Sequence, residues 1–228
     1  RLFNIETLRF ADGLGGTADY NVATLFAPVI IGGDAADVTV DENTASVTAI
    51  VALDPNPDAV LSYSIIGGAD QALFNIDAVT GEVSFINTPD FEAPTDADAN
   101  NVYEVIVEVA DGTGGVDSQI LSVTVGNVDE ATTGAVTIAS YSIAATTATL
   151  TAANDVADAD GIVGAVQYQW QRQVAGVWSD IAGATSATLA NQADTTVRAS
   201  VVYSDAFGAK QVISDTVAAI TGTTTNNT

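Results

Sequence analysis

The chain has 228 residues, of which 29 are acidic and 5 basic, so its formal net charge is −24. This charge disfavours binding to nucleic acid and to anionic membranes, and it favours cations. Because His and Cys are absent, imidazole zinc sites, Ser-His-Asp triads and disulfides are excluded. Hydrophobic residues make up 47% of the chain, which predicts packed cores, and no apolar run approaches the roughly twenty residues of a membrane span.

Residues 1–33 are predicted to form a strand segment and linker before the first domain. Apolar and polar residues alternate in 1–12, with a phase slip at Thr7 that indicates a bulge or two short strands. The large apolar residues of this stretch are Leu2, Phe3, Ile5, Leu8 and Phe10. We expect them to pack on the chain's own first sandwich, on an upstream domain or on a neighbouring copy.

Residues 34–130 show period-two alternation between acidic turns rich in Gly, Pro and Asn, which predicts an antiparallel β-sandwich. Strands are predicted at 38–40, 47–51, 61–65, 74–76, 83–86, 102–109 and 120–125. The clearest of these strands is 102–109, whose odd-numbered residues share one face. The acid-rich loop 88–101 is long for a hairpin, so we expect it to be functional or mobile.

Residues 134–220 have fewer acids and contain both Trp residues, and they predict a second antiparallel sandwich. Strands are predicted at 136–138, 148–150, 166–170, 187–189, 197–203 and 212–213, with a further one at Trp178. Residues 221–228 are predicted to be a frayed tail or a linker. With no helix pattern of three turns, the predicted class is all-β, as two tandem antiparallel β-sandwiches with an N-terminal strand segment.

Three resemblances refine this architecture. The order of Asp41-Glu42-Asn43, Asp54-Pro55-Asn56-Pro57-Asp58, Asp90-Phe91-Glu92 and Asn127-Val128-Asp129-Glu130 resembles a bacterial cadherin-like repeat over about 38–130. The stretches 168–172 and 178–184 resemble a bacterial immunoglobulin-like repeat over about 134–220, which implies that Trp170 is a core residue. The stretch 4–13 resembles the segment that follows hemolysin-type calcium-binding repeats.

The cadherin-like resemblance implies calcium sites, because Ca²⁺ prefers six to eight oxygen ligands. The implied lower set is Glu42, Asp90, Glu92, Asn127 and Asp129, and the implied upper set is Asp54, Asn56 and Asp111. Asn56 stands where the family usually has a second acid. On spacing alone, Asp155, Asp158 and Asp160 are candidates for completing the lower site. The alternative is that these acids are solvated turn and cap residues.

Three functions remain open at this point. The first is a non-enzymatic structural or adhesive protein, secreted to a bacterial cell surface or filament, in which calcium stiffens tandem sandwiches. The second is the non-catalytic accessory region of a large secreted peroxidase or hydrolase, which the absence of Met allows because the chain would then be processed or a piece of a longer one. The third is glycan binding through an exposed Trp178. Calcium is the expected cofactor, and neighbouring copies, contacted through residues 1–12, and a cell-surface or glycan ligand are the expected partners.

Overall fold

The computed structural model describes residues 7–11, 17–21, 26–144, 147–190 and 196–215. The chain forms two compact units, Arg1–Val128 and Asp129–Thr228. The described elements are strands apart from one 3₁₀ turn, Gln71–Leu73, which confirms the predicted all-β class. The described part contains no helix long and apolar enough to cross a membrane. Predictions for residues 1–6 and for the tail 221–228 fall outside the described residues.

Eleven strands lie in the described residues of the first unit. They are β1 (Thr7–Ala11), β2 (Thr17–Asn21), β3 (Val29–Ile30), β4 (Ala35–Asp41), β5 (Ser46–Ala49), β6 (Ala52–Leu53), β7 (Ser62–Gly67), β8 (Phe74–Ile76), β9 (Glu82–Phe85), β10 (Val102–Ala110) and β11 (Val116–Gly126). The larger sheet has the order β4-β11-β10-β7 and the smaller one β5-β9-β8, while β1-β2 and β3-β6 are two-stranded ribbons.

The core of the first unit lies between its sheets and confirms the alternation predicted for 102–109. The four odd-numbered residues of β10, from Tyr103 to Val109, are all buried. Tyr103 meets Phe85 edge to face at 5.1 Å between ring centroids, and Phe85 stacks on Phe74 at 4.5 Å. These aromatic contacts join β8 and β9 to β10 and fix the spacing of the two sheets.

Three details differ from the sequence-based prediction. β4 pairs with β11 in parallel, because the two strands are separated by most of the unit and need no tight turn between them. The predicted strand 47–51 is broken, since β5 ends at Ala49 and β6 starts at Ala52. Residues 26–33 are part of the sandwich and not a linker, because β3 pairs with β6 and Ile30 is buried in the core.

The part of the second unit that the structure describes has seven strands. They are β12 (Val136–Ala144), β13 (Thr147–Asn154), β14 (Val163–Val174), β15 (Val177–Asp180), β16 (Thr188–Ala190), β17 (Val197–Ser204) and β18 (Ala209–Ile213). They form one sheet of order β12-β13-β16 and another of order β15-β14-β17-β18, all antiparallel. Trp170 is 0% exposed and donates its indole N–H to the Ser186 carbonyl at 2.9 Å, so its predicted core role is confirmed.

Candidate metal centre

Glu42 ties three segments of the first unit together. It directly follows β4 and is only 3% exposed. Its Oε2 accepts the Phe91 N–H at 2.9 Å, and its Oε1 accepts the Val128 N–H at 2.8 Å. The end of β4, the loop 88–101 and the segment after β11 therefore converge on one buried carboxylate.

Asp90 shapes the loop next to this carboxylate. Its Oδ1 accepts the N–H groups of Glu92 and Ala93, both at 3.1 Å, which is an Asx turn. The turn sets the course of the backbone from Asp90 to Glu92. Asp90 is therefore a turn-forming residue through its Oδ1. Its other carboxylate oxygen could still bind a metal.

The side-chain amide of Asn127 has a feature that points to a ligand. Its side-chain Nδ2 donates to Glu92 Oε1 at 2.8 Å, while its Oδ1 is buried and has no hydrogen-bond partner. Oxygens of Glu42 and Glu92 lie within 4.8 Å of each other. Because the two ends of an amide are assigned from their partners, rotating the Asn127 amide by half a turn would place its oxygen beside Glu92.

The donor chemistry of this group fits Ca²⁺. Two carboxylates and an amide oxygen are hard oxygen ligands, and a divalent cation between them would offset the repulsion of carboxylates at this separation. The buried Asn127 oxygen has no donor in its present orientation, which is costly, and the rotated amide would turn it toward a cation shared with Glu92. Glu42, Asp90, Glu92 and Asn127 would hold the ion, and they are four of the five predicted lower-set residues.

Two acids that sequence reasoning missed organise the loop 88–101. Asp70 accepts the Ala97 N–H and the Glu104 N–H, both at 2.8 Å. The buried Asp96 accepts the Asn100 N–H at 2.8 Å. Burial alone would raise the pKa of Asp96, but the hydrogen bonds outweigh burial and lower it. The loop is therefore anchored at its centre. The sequence signal for this anchoring was the run of Asp and Asn residues in 96–101, which is typical of tight turns.

The residues of the predicted upper set lie in two turns. Asp54 Oδ1 accepts the Asn56 N–H at 2.6 Å, and Asn56 Oδ1 accepts the Asp58 N–H at 3.2 Å. Asp54 Oδ2 is buried without a hydrogen-bond partner. Among the described residues, no group of three acidic side chains includes Asp54 or Asp111, and the upper site stays a prediction.

Asp111 closes the turn between β10 and β11. It accepts the N–H groups of Thr113 and Gly115 at 2.7 and 3.0 Å and the Thr113 hydroxyl at 2.8 Å. Burial alone would raise the pKa of Asp111, but these hydrogen bonds outweigh burial and hold it below its ordinary value. The turn thus uses three of the roughly four acceptor sites of this carboxylate.

Asp129 departs from the predicted lower set. Its oxygens group with those of Asp160 and Asp205 in the second unit, and its Oδ1 pairs with the Lys210 ammonium. Lys210 also lies 3.3 Å from Asp205 Oδ2. Both carboxylates raise the pKa of Lys210. Lys210 is the chain's single lysine, and it supplies the positive charge that this acidic group needs. Sequence reasoning did not pair it with these acids.

Asp155 and Asp158 accept hydrogen bonds from backbone and side-chain groups of the second unit. Asp155 Oδ1 accepts the Ala135 N–H at 2.7 Å. Asp158 Oδ2 accepts the Tyr203 hydroxyl at 2.5 Å, and burial together with this hydrogen bond raises the pKa of Tyr203. Spacing alone did not distinguish these structural roles from metal binding.

Trp178 lies in β15 and is half-buried. The Arg198 guanidinium carbon lies 4.3 Å from its ring centroid, so a cation–π contact occupies one face of the indole. That face is unavailable for stacking on a sugar, which weakens the glycan-binding hypothesis.

Comparisons with known proteins give similarities at the level of the fold. No family model matches the chain. The chain is 50% identical to halomucin of Haloquadratum walsbyi (strain DSM 16790 / HBSQ001) over 40 residues, which is 18% of this chain and, to the nearest per cent, 0% of halomucin.

Solved structures of cadherin domains are among those similar to this chain. Extracellular cadherin domains 1–4 of protocadherin gamma B7 match with a TM-score of 0.42 and 16% identity, over 85% of this chain and 49% of that one. Drosophila N-cadherin EC1-3 matches with a TM-score of 0.38 and 16% identity, over 95% and 78%. The third cadherin domain of human protocadherin 7 matches with a TM-score of 0.36 and 16% identity, over 44% and 87%. This chain spans about half the length of the protocadherin gamma B7 structure.

Proposed function

We propose that this chain is a non-enzymatic extracellular structural or adhesive protein whose first β-sandwich binds Ca²⁺ through Glu42, Asp90, Glu92 and Asn127. The observation that carries the calcium site is the buried, partnerless Oδ1 of Asn127, on a side chain that touches Glu92. The bacterial surface origin and the immunoglobulin-like character of the second unit rest on the sequence resemblances described above.

The ion would act on the segments that Glu42 already joins. Glu42 holds the backbone of Phe91 and Val128, and Asp90 sets the turn that leads to Glu92. A cation shared by these side chains would bind the folded arrangement and not the unfolded chain. Calcium would thereby stabilise the loop 88–101 against the ends of β4 and β11.

Two of the described cations are held by contacts within the second unit, which supports a non-enzymatic role. Lys210 is paired with two carboxylates, and the Arg198 Nε–H donates to Gln171 Oε1 at 2.7 Å beneath its contact with Trp178. Without His or Cys, activation of a hydroxyl nucleophile by an imidazole base and thiolate catalysis are both excluded.

A calcium titration of the chelator-treated protein tests the proposal. Both Trp residues, 170 and 178, lie in the second unit, so Trp fluorescence follows that unit while far-UV circular dichroism follows both. At a calcium concentration 100 times the dissociation constant, a ligand stabilises the folded state by about 2.7 kcal/mol, which corresponds to a rise of roughly 10–20 °C in the melting temperature of the first unit. Magnesium should act more weakly, because it dehydrates reluctantly.

Matched variants locate the ion. Asn127→Ala and Asp90→Ala should reduce the calcium-dependent rise, whereas Asn75→Ala, at an exposed position of β8, should leave it intact. Asp129→Ala should also leave the rise in the first unit intact, because Asp129 pairs with Lys210. A melting temperature of the first unit that does not change across the titration would refute the calcium site.

A further inference from the structure

The backbone of Phe91 lies between two of the proposed calcium ligands, Asp90 and Glu92. Its N–H donates to Glu42 Oε2 at 2.9 Å. Its carbonyl oxygen accepts a hydrogen bond from the side-chain Nδ2 of Asn101, also at 2.9 Å. Both backbone polar groups of Phe91 are therefore held by side chains, and its ring packs against the core. A backbone fixed in this way limits where the side chains of Asp90 and Glu92 can lie.

Asn101 also joins the loop 88–101 to β11. Its backbone carbonyl accepts the Val125 N–H at 2.9 Å, two residues before the proposed ligand Asn127. Its own N–H donates to Oδ1 of the buried Asp96 at 3.3 Å. Asn101 thus contacts both the loop that carries two ligands and the strand that leads to a third. Glu42 joins the same two segments through different backbone groups.

The residue type at position 101 suits this contact. Asn101 has a φ of +63°, in the left-handed region where Asn is enriched among residues other than Gly. Its NH₂ group can donate to the Phe91 carbonyl, whereas an ionised Asp would place an acceptor there. Half a turn of the amide would bring its oxygen against the same carbonyl, so the donating orientation is fixed. The Asn101 Oδ1 is buried without a hydrogen-bond partner, and the orientation therefore depends on Phe91.

We propose that Asn101 is a positioning residue of the calcium site: its amide holds the Phe91 carbonyl and so keeps Asp90 and Glu92 in place for the ion. The inference rests on the calcium site proposed above and adds to it a residue that acts through the loop backbone. Groups that orient metal ligands typically contribute about tenfold to a hundredfold to metal affinity. Removing the Asn101 amide should therefore weaken calcium binding by about tenfold or more.

Calorimetric calcium titration of the chelator-treated intact chain tests this role well below the melting temperature, where it measures the affinity of the folded protein. The site under test is the one that Asn127→Ala removes. Asn101→Gly keeps the left-handed backbone without strain and lacks the amide, so its dissociation constant should rise about tenfold or more. Asn100→Ala is the matched control, because it removes the hydrogen bonds of the neighbouring side chain to Asp98 and to the Val102 N–H. It should leave the dissociation constant unchanged.

Asn101→Ala separates positioning from stability. Alanine is strained in the left-handed backbone of this position. In chelator, the first unit of this variant should melt a few degrees below that of Asn101→Gly, while the two variants bind calcium with the same reduced affinity. A merely structural role of Asn101 would lower the melting temperature in both variants and leave the calcium dissociation constant of the folded chain unchanged.

The possible results distinguish this role from the calcium site itself. An affinity that Asn101→Gly retains, or a loss of affinity that Asn100→Ala shares in full, would overturn the positioning role and leave the calcium site standing. An intact chain that shows no calcium binding dependent on Asn127 would overturn the calcium site, and the positioning role with it.

Discussion

Replacing Glu42 with Gln perturbs the first unit at the point where three segments meet. Each Glu42 carboxylate oxygen accepts a different backbone N–H, from Phe91 at 2.9 Å and from Val128 at 2.8 Å. Glutamine has the same shape but only one acceptor oxygen. In either orientation of the amide, its NH₂ group faces one of these two N–H donors, and the remaining hydrogen bond is no longer charge-assisted.

The expected loss of stability follows from leaving one backbone N–H donor unsatisfied beside a side chain that is 3% exposed. An unpaired buried polar group costs about 1–3 kcal/mol. For a domain of about 100 residues this lowers the melting temperature by roughly 5–20 °C. The loss should appear without calcium, because the hydrogen bonds belong to the protein itself.

The assay is thermal unfolding in chelator, with circular dichroism for the whole chain and Trp fluorescence for the second unit. Glu82→Gln is the control, because it removes the same charge from an exposed position of β9 in the same unit. We expect Glu42→Gln to lower the melting temperature of the first unit and to leave the Trp transition of the second unit in place. If the first unit has the same melting temperature in Glu42→Gln as in Glu82→Gln, the bridging role of Glu42 is wrong.

Two further predictions concern turns of the first unit. Because the pKa of Asp111 lies below its ordinary value of 3.8, its contribution is fully present above about pH 4 and is lost as pH falls through the folded-state pKa. Asp111→Asn should therefore lower the melting temperature at neutral pH and flatten its decline between about pH 4 and pH 2; an unchanged decline would refute the assignment. Gly81 and Gly112 both have a φ of +73°, but a Cβ at Gly81 would lie 2.5 Å from the Ile50 carbonyl oxygen, whereas one at Gly112 meets nothing within 4 Å. Chemical denaturation should show Gly112→Ala costing about 1 kcal/mol for the backbone alone and Gly81→Ala clearly more, and equal costs would contradict the close approach.

The all-β class and the strand β10 could be predicted from the sequence, because the alternation of apolar residues is a local signal that burial on one face preserves. Tyr103 and Val105 illustrate this, since both were assigned to the same face of the strand and both are buried. The assignment of this strand depends on period and residue type, which the chain carries without reference to distant segments. Trp170 was assigned to the core through the resemblance to an immunoglobulin-like repeat, and it is fully buried.

The candidate site depended on contacts between distant residues, and only the tertiary structure decided them. Glu42 and Val128 are 86 positions apart, and Lys210 and Asp129 are 81 apart. An acid in a turn looks the same in sequence whether it caps its own backbone, as Asp111 does, meets a second carboxylate, as Glu42 does, or pairs with a lysine, as Asp129 does. Sequence alone therefore supplied the acids and the strands between them, while the packing of the sheets determined which acids meet, because electrostatic partners are set by distance in space.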